Sequence, residues 1–309
     1  MVPLNLQIDA SFFQPEERDG YLVSAEMKKV WAVELDLLDA FAGVCAKHHL
    51  KWFAHAGTML GAIRHHGFIP WDDDIDVVMP RDDYERLCTL GPKEFSHPYF
   101  FQNENTDRYF ARNFSRLRNS LTTAVFGREL DSKLPFNQGI FIDIFPMDHI
   151  PADPDVRKAF YEKLADLNTR AWRWRSIIHF YNPKTGQGFV KRVRHYLKHL
   201  FFKYFYKGGY RSYLDKHHEL ITKYNGEETG WVGESVISPL GRQLWRTEWV
   251  RETEMVPFEM IQIPVPVHYE ECLAASFGKD WRTPRHVPTL HGIVYFDTDK
   301  PYTEFLAQN

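Results

Sequence analysis

Between Ser24 and Leu50 apolar side chains fall at Met27, Val30, Trp31, Val33, Leu35, Leu37, Leu38, Phe41 and Val44. This spacing returns repeatedly to one helical face, and Ser24 ahead of it offers an oxygen to the free N–H groups of a first turn, so a helix is predicted there. Lys51 to His55 reads as a short strand, followed by Gly57-Thr58 and a helical turn from Met59 to Arg64. The period then changes. Asp74 and Asp76 alternate with Ile75 and Val77, a strand pattern that sends the aliphatics into a core and leaves the acids on the other face. Pro80 ends that strand, and Arg81 to Leu90 begins a helix with proline at its mouth. Residues 98–126 read as strands with turns (PYFFQNEN, FARNFSRLRNS, LTTAVFG), and IFIDIF at Ile140 to Phe145 is the clearest buried strand, with the single acid Asp143 inside it.

The character changes at IPADPDV, a Pro/Asp-rich link. Residues 154–224 are mostly helical, aromatic and basic. Beyond Gly226 come short strands (TGWVGES, EMVPFEMIQI), then a helix from about Val267 to Phe277 that ends at Gly278. No internal repeat or low-complexity tract interrupts this. The pattern predicts an α/β (α+β) fold: a mixed sheet flanked by helices in residues 1–150, a helical addition at 151–226, and a return segment, 227–309, that completes the core. One composite domain satisfies the pattern as well as two.

Composition narrows the function. With 309 residues, 44% hydrophobic and 16% aromatic, the chain is that of a folded globular protein, and a net charge of −3 gives no general affinity for polyanions. Nucleic-acid binding has no supporting motif. Cys45, Cys88 and Cys272 are odd in number and far apart, so zinc-finger spacing is absent and reduced, cytosolic thiols are expected. The start MVPLNLQIDASFF lacks the basic-then-apolar order of a signal peptide, and no run of 18 apolar residues exists to span a membrane. A cytoplasmic protein, soluble or peripheral at the inner face of the membrane, is expected.

The candidate chemistry lies in HAGTMLGAIRHHGFIPWDDDIDVVMP, residues 55–80, which places Asp72, Asp73, Asp74 and Asp76 almost side by side. Two carboxylates roughly 5–6 Å apart on one strand face repel by about 3 kcal/mol at an effective dielectric near 20. Keeping both ionised calls for a cation, and oxygen-only ligands select Mg²⁺ or Mn²⁺; the plain alternative is a solvated acidic turn. An EF-hand is excluded because Val77 stands where that loop needs glycine. Gly57-Thr58 at a helix start lets backbone N–H groups approach phosphate oxygens. Asp143 on a later strand can complete a two-metal site or accept a proton from an attacking hydroxyl. These features together match the nucleotidyltransferase-fold pattern, with a somewhat long insertion between the glycine and the first acid.

The longer run GTMLGAIRHHGFIPWDDDIDVVMPRDDYERL, with NQGIFIDIFPMD downstream and FGKDW near the end, resembles the LicD family: phosphorylcholine transferases of bacterial surface polymers and the fukutin-related sugar-phosphate transferases. The resemblance covers about residues 35–150 closely, with a short signature near 267–282. It implies that Asp74 and Asp76 bind metal, that Asp143 is the third carboxylate, that Gly57 and Thr58 line the phosphates, and that Arg64 contacts a diphosphate. It also implies a CDP-alcohol donor, such as CDP-choline or CDP-ribitol, and CMP as leaving group. The acceptor is then a hydroxyl of a cell-surface glycan, such as lipopolysaccharide or teichoic acid, or of its lipid-linked precursor. The zinc-binding cysteines of some animal relatives are absent, and Val78 replaces a small residue found after the acidic strand in several bacterial ones.

Other residues carry two readings each. Trp71 stacks on a base or choline group, or fills the core at the strand entrance. Asp72 and Asp73 are solvated or, as the favoured reading, hydrogen-bond loop amides that shape the site. Arg112, Arg116 and Arg118 alternate as if on one strand face, either toward an anionic donor or toward solvent. His55, His65 and His66 are expected to be structural. The segment 189–211, FVKRVRHYLKHLFFKYFYKGGYR, reads as a basic amphipathic helix that either lies on an anionic membrane surface or packs its apolar face on the first unit. Two rival functions remain: a nucleotide-sugar glycosyltransferase whose Asp-x-Asp grips a metal–diphosphate, and a nucleotide-binding module without turnover.

Overall fold

A short hairpin, β1 (Glu16–Arg18) with β2 (Tyr21–Val23), leads into α1 (Ala25–His48), where the Ser24 hydroxyl accepts from the Met27 N–H as the sequence predicts. The computed structural model describes residues 1–107, 109–132, 136–179, 188–205, 209–234, 236, 243–287 and 291–308. α1 is buried over most of its length; Trp31, Val33, Leu35, Leu37, Leu38 and Phe41 are fully enclosed. After α1 come β3 (Phe53–Ala54), α2 (Ala56–His65) and β4 (Asp76–Pro80). Next are α3 (Arg81–Glu94), β5 (Tyr99–Gln102), β6 (Ser115–Asn119), β7 (Thr123–Phe126) and β8 (Ile140–His149).

The central sheet is mixed. β4 and β8 run parallel, while β3 on β4, β6 on β8 and β5 on β6 are antiparallel. α1 crosses β6 and β8, and α3 lies against β4 and β8, so helices flank the sheet. α4 (Pro154–His179), α5 (Phe189–Phe205) and α6 (Gly209–Ile221) form the helical addition. α4 and α6 pack along one another, and α4 delivers Phe160, Tyr161 and Leu164 to the main core. The chain then returns to the sheet. β9 (Trp231–Gly233) pairs with the end of β8, and β10 (Leu244–Arg246) pairs with β9. The hairpin of β11 (Thr253–Phe258) and β12 (Ile261–Pro266) follows, then α7 (Tyr269–Phe277). Gly278 stops α7 at a φ of 90°, backbone that glycine adopts readily. Last come β13 (Val294–Asp297), paired with β7, and α8 (Tyr302–Gln308).

Two local expectations shift. The acidic strand begins at Asp76, so Asp72, Asp73 and Asp74 lie in the approach to it and not on its face. The reason is a missing strand neighbour: β3 ends at Ala54, and ahead of Asp76 the sheet side of the chain is held by the Asp143 N–H donating to the Ile75 carbonyl at 2.8 Å. α2 begins at Ala56, so Gly57 and Thr58 form its first turn instead of preceding it.

Candidate functional site

The register of the sheet lines up three charged side chains. Asp76 is the register partner of Asp143 across β4–β8, and Arg116 is the partner of Asp143 across β6–β8. Register partners project to the same face. Arg116 grips Asp143 with two bonds, Nε to Oδ1 at 2.5 Å and Nη2 to Oδ2 at 3.1 Å, and lies over the Phe141 ring at 3.8 Å. Both side chains are buried. Next to this row, Thr58 Oγ1 accepts the Asp76 N–H at 2.8 Å, which fixes the start of β4 to the first turn of α2.

The approach loop brings the remaining aspartates alongside. The Trp31 indole, stacked on Phe68 at 4.4 Å, donates to the Asp72 carbonyl at 3.1 Å. Gly57 makes room for the Asp72 carboxylate: a Cβ at position 57 would stand 2.4 Å from its Oδ2. Ala56, just before, holds a φ of 42°, left-handed backbone that costs a non-glycine residue about 1 kcal/mol. Asp73 and Asp74 meet His291, whose Nδ1 lies 3.2 Å from Asp73 Oδ1 and whose Nε2 lies 3.4 Å from Asp74 Oδ2. The ligand atoms of Asp73, Asp74 and His291 all fall within 4.8 Å of one another.

A further acid comes from α1. Glu34 is one turn beyond Trp31 on the same helix face, is buried, and has an Oε2 without a hydrogen-bond partner. Burial first, then the charges of Asp74, Asp73, Asp72 and Asp76, push its carboxyl well above the ordinary range. Glu234, buried just past β9, adds its charge at Asp76. Burial likewise raises Asp72 and Asp76 well above normal, with Asp74 the next cause for each. Asp74 is pushed up to about 6 by burial, against the pull of His291. Burial acts to lower His291, but its hydrogen bond to Asp73 and the charges of Asp74, Asp73 and Asp143 outweigh this and raise it.

So many acids in so small a space fit a divalent cation. The carboxylate oxygens, one of them buried and without a partner, suit Mg²⁺ or Mn²⁺. The same crowding sets a pH dependence. Without cation these acids bind protons more tightly folded than unfolded, so stability falls as pH rises above the ordinary carboxylate range. For Asp74 alone, a change from 3.8 to about 6 corresponds to about 3 kcal/mol. A bound cation removes that penalty. The gain in unfolding midpoint on adding Mg²⁺ or Mn²⁺ is therefore expected to grow between pH 5 and pH 7.5 in a thermal-shift titration, and an equal gain at both would count against a cation among these acids.

Of the residues singled out from sequence, Asp74, Asp76, Asp143, Gly57 and Thr58 converge here. Arg64 and Trp71 make contacts of their own. Arg64 is in the last turn of α2, roughly 10 Å along the helix from Gly57, and its Nη1 donates to the Trp281 carbonyl at 3.1 Å, tying the FGKDW segment to α2. Trp71 sits half-buried in a ring cluster with Tyr21 at 6.0 Å and His286 at 5.2 Å. The arginines do not form a solvated sheet face: Arg116 and Arg118 are buried. Arg118 is buried, with Nε on Gln102 Oε1 and an Nη on the Gly139 carbonyl, both at 2.5 Å; burial, then Arg116, lowers it to about 9. Arg112 precedes β6 and lies over Trp172 at 4.9 Å. His55 is enclosed between Phe145 and Trp245, and burial takes it down to about 3, a structural role. His65 bonds Asp19 at 2.7 Å, and His66 caps α2.

Glu34, Glu234 and His291 escaped the sequence reading. Glu34 left a trace, an acid at an inward position of a largely apolar helix. His291 left none, being 218 residues from Asp73.

Residues 49–152 match the family described as LicD/FKTN/FKRP, nucleotidyltransferase domain. Lipopolysaccharide cholinephosphotransferase LicD of Haemophilus influenzae is 32% identical over 123 residues, 40% of this chain and 44% of that one. An uncharacterized protein of Rickettsia typhi is 46% identical over 90 residues, 27% of this chain and 29% of its own. The matches thus span less than half the length of these relatives.

Proposed function

We propose, from the premise that this chain carries a LicD-family nucleotidyltransferase domain over residues 49–152, that it is a phosphotransferase moving phosphocholine from CDP-choline to a hydroxyl of a cell-surface glycan or its lipid-linked precursor. The observation that carries the reading is the Asp76–Asp143 row beside Asp74, Asp73 and His291. The name of the Haemophilus relative supports both choline phosphate as the group and lipopolysaccharide as the acceptor class. Asp74, Asp76 and Asp143 are the expected holders of Mg²⁺ or Mn²⁺, with Asp73 and His291 beside them. Such a cation neutralises the donor's diphosphate and the charge that builds on departing CMP.

The rest is positioning by the protein's own residues. Arg116 fixes the Asp143 carboxylate, and Thr58 fixes the backbone of Asp76. The first turn of α2 offers backbone N–H groups to phosphate oxygens. In the transfer the acceptor oxygen bonds to the phosphorus that carries choline, the bond from that phosphorus to the CMP oxygen breaks, and the hydroxyl proton passes to a carboxylate of the cluster or to water. Holding both partners in line supplies most of the acceleration in such reactions.

The test uses purified protein with CDP-choline, with and without Mg²⁺ or Mn²⁺. A cation-dependent rise in unfolding midpoint is expected, together with release of CMP when a glycan acceptor is present. Release of a nucleoside diphosphate from a nucleotide sugar, or nucleotide binding with no CMP from any acceptor, overturns the proposal.

A further inference from the structure

The helix α5 presents an apolar face to solvent. Phe189, Val190 and Leu197 are 81%, 78% and 58% exposed, and Val193, Tyr196 and Phe201 are also exposed. At 100° per residue these side chains share an arc of roughly 140°. Lys191, Arg192, Arg194 and Lys198 are exposed on the rest of the circumference, and the stretch from Phe189 to Phe205 contains no acid. The sequence left two places for the apolar face; among the described residues its side chains face solvent, and α4 is the element α5 mainly packs against. No helix among the described residues is long and apolar enough to cross a membrane.

We propose that α5 is a membrane-surface helix that docks this protein on a bilayer carrying anionic headgroups. An apolar arc with aromatics sinks to the level of the acyl boundary, while lysine and arginine extend their stems toward phosphates. The charge pattern selects this occupant over others. Two copies of α5 face to face would bring two acid-free basic helices together with nothing to neutralise them. A nucleic acid would cover the basic arc and leave the apolar one wet. A lipid surface covers both at once. The inference is independent of the reaction proposed above and is tested without it.

The experiment is flotation of the full chain with vesicles of phosphatidylcholine, with or without phosphatidylglycerol. The protein is expected to float with the phosphatidylglycerol vesicles and to stay in the aqueous fraction with phosphatidylcholine alone. Val190→Glu and Leu197→Glu, both at exposed positions and so expected to keep the wild-type unfolding midpoint, should each lower the bound fraction more than about tenfold. Arg192→Ala and Arg194→Ala should lower it about fivefold each, and added salt should weaken wild-type binding. The proposal fails if the wild type ignores anionic vesicles, or if Leu197→Glu floats as well as wild type. It fails equally if the wild type stays off vesicles and self-associates in a way that Leu197→Glu abolishes, which would assign the face to a second copy.

Discussion

Asp74→Asn and Asp76→Asn are each expected to lower turnover by about three orders of magnitude while leaving the fold intact. Both substitutions keep the shape of the side chain and remove one charge from a place where Asp72, Asp73, Asp74, Asp76, Asp143 and Glu34 crowd together. Loss of a cation ligand removes several kcal/mol of transition-state stabilisation, about 4 kcal/mol for a thousandfold loss. Without cation the effect on stability has the opposite sign. Asp74 and Asp76 are acids whose ionised form burial penalises, so the neutral amide relieves repulsion and the cation-free midpoint at pH 7.5 stays level or rises. The stabilisation by added Mg²⁺ or Mn²⁺ should shrink in the same variants. Rates of CMP release and thermal-shift curves with and without cation measure both. Activity within tenfold of wild type in either variant would remove these two residues from the site.

Arg116→Met is expected to destabilise the protein by about 3–5 kcal/mol, because it leaves the buried Asp143 carboxylate without its counter-ion. For a chain of this size that is a fall on the order of 10 °C in unfolding midpoint. The cost belongs to the orphaned charge and not to the lost guanidinium, so the second substitution Asp143→Asn is expected to return most of it. The double variant should therefore be stable and inactive, and the coupling between the two sites read from the cycle should be large. A divalent cation should also partly restore Arg116→Met, since it replaces the missing positive charge next to Asp143. If Asp143→Asn fails to restore stability in the double variant, Arg116 acts through its contact with the Phe141 ring, 3.8 Å away, and not through the carboxylate.

Both predictions rest on pairings that a sequence does not display. Arg116 and Arg118 read as a repeated basic face, yet one bonds the Asp143 carboxylate and the other a glutamine and a carbonyl. α1 makes the same point. Glu34 and Asp36 stand two residues apart in it and both are buried. Asp36 is fully served, accepting from the Asn5 and Leu6 N–H groups and the Tyr99 hydroxyl at 2.7–2.8 Å. Glu34 keeps an oxygen without a partner and belongs with the aspartates of the site. Gly57 reads as a residue that lets phosphate oxygens approach, and in the structure it also makes room for the carboxylate of Asp72.

Sequence alone determined the elements whose cause is local. The capped helix α1, the buried IFIDIF run of β8 with Asp143 inside it, the strand β4, the helical stretch after IPADPDV and the glycine stop after α7 all follow from periodicity, capping and turn chemistry within about a dozen residues. The tertiary structure decided which charges meet. Strand register set Asp76 beside Asp143 and Arg116, and chain return brought Glu234 and His291 to acids far away in sequence. Local pattern reports which face a residue shows, whereas the partner of a buried charge depends on how separate faces are packed, and that depends on the whole chain.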